Sequence, residues 1–112
     1  MRIAIPVTKG LLDAHFGHCS AFAFIDVDTQ EKQVLTTRIV DAPPHVPGLL
    51  PGWLAKQGAN LVLAGGMGNK AIQLLKDQGM DVLVGVPASD PESLALDYLK
   101  GEIGPGLNVC DH

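Results

Sequence analysis

The second half of the chain alternates amphipathic helical stripes with short apolar runs, and this alternation restricts the fold more than any other feature. Apolar residues recur at helical spacing over residues 49–58 and again over 71–79, while residues 61–64 and 82–84 are short apolar runs. A strand, a helix and a further strand in this order favour parallel strands that are joined by right-handed crossovers. The sequence therefore predicts a parallel α/β unit after residue 48.

The first half of the chain has a different pattern, which predicts a strand followed by a hairpin. Residues 3–7 form a continuous apolar run that is typical of a buried strand. Residues 21–27 and 33–40 read as two more strands, and the polar segment 28–32 between them is typical of a turn.

A third helix is predicted near the end of the chain. Ser89 and Glu92 have the spacing of a capping box, Pro91 lies in the first turn, and Gly101 follows the last apolar position. The predicted order is βββαβαβα, an α/β fold with a mixed five-stranded sheet, its first strand central and helices on both faces. We expect one domain over residues 1–101 and a tail rich in Gly and Pro over 102–112.

Composition limits the class of protein. The chain has 112 residues, of which 46% are hydrophobic and 18% charged, so it should be globular and able to fold without disulfides or metal. The formal charge of −4, without a basic run, argues against nucleic acid as a partner. We find no apolar segment of the roughly 20 residues that a membrane span needs and no signal-peptide pattern. A cytoplasmic location is therefore expected, with both cysteines reduced.

The residues best suited to bind a metal concentrate in three segments. In the predicted topology, the loops after strands one, three, four and five meet at one edge of the sheet, where ligands usually bind. Imidazole and thiolate are ligands for soft or borderline metals. The candidate metal ligands are His15, His18 and Cys19 in the first loop, His45 as a weaker candidate after the third strand, and Cys110 and His112 in the tail.

A glycine-rich turn leads from the fourth predicted strand into the second helix. The turn Gly65-Gly66-Met67-Gly68 would let backbone amides approach an anion at a helix amino terminus. It lacks the patterns of nucleotide-binding loops, so an anionic cluster fits it equally well. A tight turn with no ligand is the alternative.

Several functions are compatible with these residues. A four-coordinate metal needs fewer ligands than the candidates supply, so at least one of them should be idle or in a supporting role.

The 12 residues from Gly101 onward can span about 40 Å, so the tail could reach the site in its own molecule or in a neighbouring one, and monomer and homodimer both stay open. The rival hypotheses are a mononuclear zinc, copper or iron protein, a thiol-based redox enzyme that uses Cys19, and a regulatory module that contacts a partner protein.

Four features spread along the chain form one combination. They are the opening Ile3-Ala4-Ile5-Pro6-Val7, His15-Phe16-Gly17 followed by Phe22, the turn Ala64-Gly65-Gly66-Met67-Gly68, and Gly85. With this combination the chain resembles the dinitrogenase iron-molybdenum cofactor-binding family, which includes NifX-like carriers and the carboxyl-terminal domain of NifB-like proteins. The resemblance covers nearly the whole chain.

The resemblance implies a ribonuclease H-like fold and binding of an iron-sulfur or molybdenum-containing cluster, without catalysis by this domain. It assigns the family's motif histidine to His15 and its glycine turn to Gly65, Gly66 and Gly68. The partner that the resemblance suggests is a protein that donates the cluster or accepts it. The other four strong ligand candidates are not part of the general family pattern and indicate a subgroup with its own metal site: His18, Cys19, Cys110 and His112.

Overall fold

The computed structural model of the protein describes residues 1–12, 19–44, 46 and 48–102. The elements, in chain order, are β1 (Arg2–Thr8), β2 (Leu11–Leu12), β3 (Ala21–Asp28), β4 (Gln33–Asp41), α1 (Leu49–Lys56), β5 (Leu61–Leu63), α2 (Asn69–Asp77), β6 (Asp81–Leu83) and α3 (Pro91–Leu99). Of the helices in this part of the chain, none combines the length and the apolar character that a membrane crossing requires.

The sheet has the strand order β4-β3-β1-β5-β6, with β1 in the middle. β1 pairs antiparallel with β3 and parallel with β5, β4 adds to β3 in antiparallel sense, and β6 adds to β5 in parallel sense. The predicted mixed sheet with a central first strand is therefore confirmed. The two-residue strand β2, which pairs with the end of β1, was not predicted.

Helices cover both faces of the sheet, as predicted, because buried side chains alternate along the strands. One face carries aliphatic residues such as Ile3, Ile5 and Ile25, and packs against Leu94 and Ala95 of α3. The opposite face packs against α1 and α2, and its buried members include Ala4, Phe22, Phe24, Leu54 and Leu75. Successive strand residues point to opposite faces, so one run of apolar sequence supplies both cores.

The predicted cap of the third helix is one residue too early. Asp90, and not Ser89, is the N-cap, since its Oδ2 accepts a hydrogen bond from the Ser93 backbone N–H at 3.1 Å. Pro91 then occupies the first helical position, where its missing N–H costs nothing. The Ser89 carbonyl accepts a bond from the Leu12 N–H at 3.1 Å and ties the start of α3 to β2.

Arg2, at the amino end of the central strand β1, bonds to the elements around it. Its guanidinium bonds both carboxylate oxygens of Asp26 on β3, at 2.7 and 3.2 Å, and also donates to the carbonyl of Gln57 at the end of α1. Its backbone exchanges hydrogen bonds with Asn60, which precedes β5. The hydrogen bonds from Arg2 are the main reason why the pKa of Asp26 lies below its ordinary value, and Thr36 adds a further hydrogen bond at 3.0 Å.

We predict that Arg2→Met lowers the free energy of unfolding by about 1 kcal/mol at neutral pH, a modest value because both side chains are about one-third exposed. The pKa of Asp26 is depressed in the folded state, so its stabilisation is present above the ordinary carboxyl value of 3.8 and is lost as the pH falls through the folded pKa. The difference between wild type and variant should therefore shrink in acid. Urea unfolding at several pH values measures it.

Arg38→Met is the matched control for this experiment, because the Arg38 guanidinium lies over the Phe24 ring, 5.5 Å from its centroid. The free energy of unfolding of Arg38→Met should change with pH as that of the wild type does. An Arg2→Met protein whose stability changes with pH as the wild type's does would contradict the role given to Asp26.

Candidate functional site

The strands β1, β4, β5 and β6 run in the same direction, so the segments that follow them lie at one edge of the sheet. Backbone hydrogen bonds join these segments. The Gly85 N–H donates to the Gly65 carbonyl at 2.9 Å, the Val86 N–H to the Ala64 carbonyl at 3.1 Å, and the Ala42 N–H to the Ser20 carbonyl at 3.1 Å. The described parts of the predicted loop cluster are therefore neighbours.

Pro6 ends the hydrogen-bond ladder between β1 and β5. Arg2 directs its backbone N–H and C=O towards Asn60 on the β5 side. Backbone groups alternate in direction along a strand, so every second residue after Arg2, including Pro6, faces the same side. The missing N–H of Pro6 therefore faces β5. The paired residues of β1 and β5 are Ile3 with Leu61 and Ala4 with Val62. A proline beyond them prevents the ladder from continuing to the carboxyl edge.

The glycine turn has a buried part and an exposed part. Gly65, Gly66 and Met67 are buried, and Gly68 is exposed. Gly68 has φ −67° and ψ 152°, which any residue can adopt, and a Cβ added there would meet no atom within 4 Å. Backbone geometry therefore does not require glycine at this position. By contrast, Gly85 has φ 76°, in the left-handed region that favours glycine.

The exposed part of the turn faces solvent at the positive end of α2. Gly68 is the N-cap of this helix and has no side chain with which to cap the amides that follow. The first turn of α2 carries no acidic residue, and it includes the exposed Lys70. The helix dipole and the lysine together make this corner favourable for a negatively charged group. Sequence reasoning missed Lys70, although it lies only two residues after Gly68.

Cys19 lies on the same face of the sheet as the glycine turn. Its side chain is 2% exposed, that of Met67 is 1% exposed, and both belong to the buried cluster that contains Phe22 and Ala64. Cys19 forms no disulfide within the part of the chain that the structure describes. Two soft sulfur atoms are thus packed into the core directly below this edge, and a small molecule in solution has little access to either.

An aromatic group extends this sulfur-containing core away from the edge. The Trp53 ring lies 5.6 Å from that of Phe22 and 5.8 Å from that of Phe24, measured between ring centroids. This group was not predicted. The alternation of Phe22 and Phe24 along one strand, with a tryptophan on the following helix, is the signal that could have indicated it.

The remaining predicted ligands lie outside the described residues: His15, His18, His45, Cys110 and His112. The expectation that the tail returns to the site lies outside them as well. Among residues 1–12, 19–44, 46 and 48–102 we find no group of three or more His, Cys, Asp or Glu side chains that could hold a metal ion. The proposed ligand set therefore stays a prediction.

The family model described as dinitrogenase iron-molybdenum cofactor matches residues 1–101. The chain belongs to this family. The resemblance inferred from the sequence motifs is thereby confirmed, and it covers Pro6, the glycine turn and Gly85.

Three relatives place this dinitrogenase cofactor family member among proteins of similar length. An uncharacterized protein of Methanocaldococcus jannaschii, MJ0580, is 26% identical over 106 residues, which cover 92% of this chain and 89% of the relative. The crystal structure of PH0822 has a TM-score of 0.83 at 28% identity, with 91% of both chains covered. The apo form of the orange protein from Desulfovibrio gigas has a TM-score of 0.75 at 27% identity, covering 96% of this chain and 93% of that chain.

We predict that Cys19 reacts slowly with an aromatic disulfide reagent in the native protein. Cys110→Ser leaves Cys19 as the sole thiol, and unfolding in guanidinium chloride should accelerate its reaction at least about 100-fold, because the native thiol reacts only through local opening. The absorbance of the released thiolate gives both rates. Equal rates in native and unfolded protein would show that Cys19 is not buried in solution.

Proposed function

We propose that this protein binds or carries a metal cluster, either iron-sulfur or molybdenum-containing, as cargo at the carboxyl edge of its sheet. The observation that carries the proposal is the family match over residues 1–101, since the family is described by the iron-molybdenum cofactor of dinitrogenase. The similarity to the orange protein is a second argument. Its structure is described as an apo form, a term used for a protein without its bound group.

The charge of the edge favours a cluster over a bare cation. A divalent ion gains nothing from backbone amides at the positive end of a helix, whereas a sulfide-rich anion gains hydrogen bonds from them. Gly68 is exposed and has open space where a Cβ would stand, and the exposed Lys70 adds a positive charge. We propose the turn Gly65-Gly66-Met67-Gly68 as the anion-receiving wall, with Gly68 as the part that touches the cargo.

The proposed ligands of the cluster are His15, His18, Cys19, Cys110 and His112, with His45 in a weaker role. Cys19 can serve only if binding draws its buried sulfur to the surface or seats the cluster against the core. The same burial disfavours the redox-enzyme hypothesis, because a substrate must reach a nucleophilic thiol. A mononuclear zinc, copper or iron site built from the histidines is the alternative within the metal-binding class.

The wider setting is part of the proposal. We place the carrier in the cytoplasm, as a single domain over residues 1–101 with a ligand-bearing tail, receiving its cargo from a donor protein or delivering it to an acceptor without catalysis. The ribonuclease H-like classification belongs to the proposal too. An antiparallel hairpin beside three parallel strands supports it.

The deciding experiment is metal and acid-labile sulfide analysis of protein purified without oxygen. Iron or molybdenum together with sulfide is expected. Zinc alone would favour the mononuclear alternative, and turnover of a thiol or disulfide substrate that requires Cys19 but no metal would favour an enzyme.

We predict that Gly68→Leu weakens binding of tetrathiomolybdate, a small molybdenum-sulfur anion, at least about ten-fold, because the new side chain covers the helix amides that bind it. Zinc binding through the histidines should change less than about two-fold. Titrations of the wild type and of Gly68→Leu with each probe measure the effect. Absorbance follows binding of the anion, and calorimetry follows binding of zinc.

The chain offers a matched control in Gly52→Leu. Gly52 also has open space around its missing Cβ and lies in α1. It should bind both probes as the wild type does, and circular dichroism should show that both variants are folded. Loss of both probes in Gly68→Leu would assign the turn to the fold, and retention of both would place it outside the site. A substitution at the buried Gly66 would not separate these outcomes, because it would disturb packing.

A further inference from the structure

The helix α1 has the sequence least suited to helix formation among the described helices. It alone contains proline or glycine after its first position, since Pro51 and Gly52 are its third and fourth residues. Its N-cap is Gly48, which has no side chain to bond the first amides, and its first turn has no acidic residue. By contrast, α3 has the Asp90 cap. With eight residues, α1 therefore depends on packing against the rest of the molecule.

The two ends of α1 are attached to the molecule differently. At the carboxyl end, the Gln57 carbonyl accepts a hydrogen bond from the Arg2 guanidinium of β1. At the amino end, the Leu49 N–H donates to the Val46 carbonyl at 3.1 Å, a bond within the same stretch of chain. Within the part of the chain that the structure describes, no strand makes a hydrogen bond to the first turn of α1. The amino end is therefore attached through side-chain packing.

The helix α1 covers part of the sulfur-containing core. Leu54 is a fully buried member of the cluster that also contains Cys19 and Met67, and Trp53 packs against this cluster. Because α1 connects the end of β4 to the start of β5, and its last turn meets Arg2, its amino end points towards the carboxyl edge of the sheet. The weakly attached end of α1 and the buried sulfur atoms therefore lie towards the same edge.

We propose that α1 is a cover that unfolds locally while the sheet stays folded, and that Cys19 becomes accessible to solvent in this open state. An element with poor intrinsic stability and few bonds to its surroundings opens at a lower free energy than the whole domain. The opening depends on the fold alone and takes place with or without cargo. Its use rests on the proposed function, because a cluster that takes Cys19 as a ligand would obtain the sulfur from the open state.

Two alanines allow the opening to be tested. Ala55 in α1 and Ala71 in α2 are both partly buried against the sulfur-containing core, so replacing either by glycine weakens one helix to a comparable extent. In Cys110→Ser protein, with a chelator present, Ala55→Gly should accelerate the native reaction of Cys19 with the aromatic disulfide reagent about five-fold. Ala71→Gly should change this rate less than about two-fold, because α2 is folded in both states.

Urea unfolding of both variants provides the control, since each should lose a comparable free energy of unfolding. Equal acceleration in both variants would show that Cys19 reacts through global unfolding. An unchanged rate in Ala55→Gly, together with a measured loss of stability, would show that another segment covers the thiol. Either result would overturn the proposal.

Hydrogen exchange in the wild type is a second test that needs no variant. Relative to their rates in the unfolded chain, the amides of Leu54 and Ala55 should exchange at least about ten-fold faster than those of Leu74 and Leu75 in α2. Equal protection of the two helices would contradict the local unfolding of α1. Neither test measures metal or sulfide, so a failure of this proposal is distinguishable from a failure of the proposed function.

Discussion

The central position of β1 is the constraint on which the rest of the structure depends. Ile3, Ala4 and Ile5 are fully buried, since helices cover both faces of the strand. β1 also joins the antiparallel hairpin on one side to the parallel crossover unit on the other. Hydrogen bonding to β3 and β5 together with burial on two faces explains why this segment is a continuous apolar run.

The two ends of β1 have opposite roles. At the amino end, Arg2 ties β3, α1 and the residue before β5 together with side-chain and backbone hydrogen bonds. At the carboxyl end, Pro6 withholds the N–H that would continue pairing with β5. Direct pairing of β1 with β5 is therefore confined to the amino half of β1. The glycine turn, Cys19 and the segment after β6 lie at the carboxyl edge, beyond this pairing.

Much of this fold could be predicted because the patterns that encode it are local. Helical stripes, apolar runs and a polar turn gave the order of elements, and the crossover rule gave the sheet. The cap of α3 was misplaced because Ser89 and Asp90 are both good N-cap residues, and only the Ser93 hydrogen bond distinguishes them. The two residues of β2 are too few to show a period.

The candidate site was less predictable, because its properties depend on exposure. The sequence identifies four adjacent residues of the glycine turn as equivalent candidates, whereas tertiary packing buries three of them and leaves Gly68 open. The same holds for Cys19, whose sequence context suggests a loop ligand and whose surroundings are core. The strand β4 reads in sequence as an ordinary strand, whereas the structure leaves its Leu35 and Ile39 exposed.

The two cores of the sheet differ in their optical properties. The core beneath α3 is built mainly from aliphatic side chains, while the core beneath α1 and α2 holds Phe22, Phe24, Met67 and Cys19 in one cluster. Trp53, the single tryptophan of the chain, packs against this second core. Its fluorescence therefore reports on the sulfur-containing core and not on the aliphatic core beneath α3, and a coloured cargo held at the carboxyl edge would quench it.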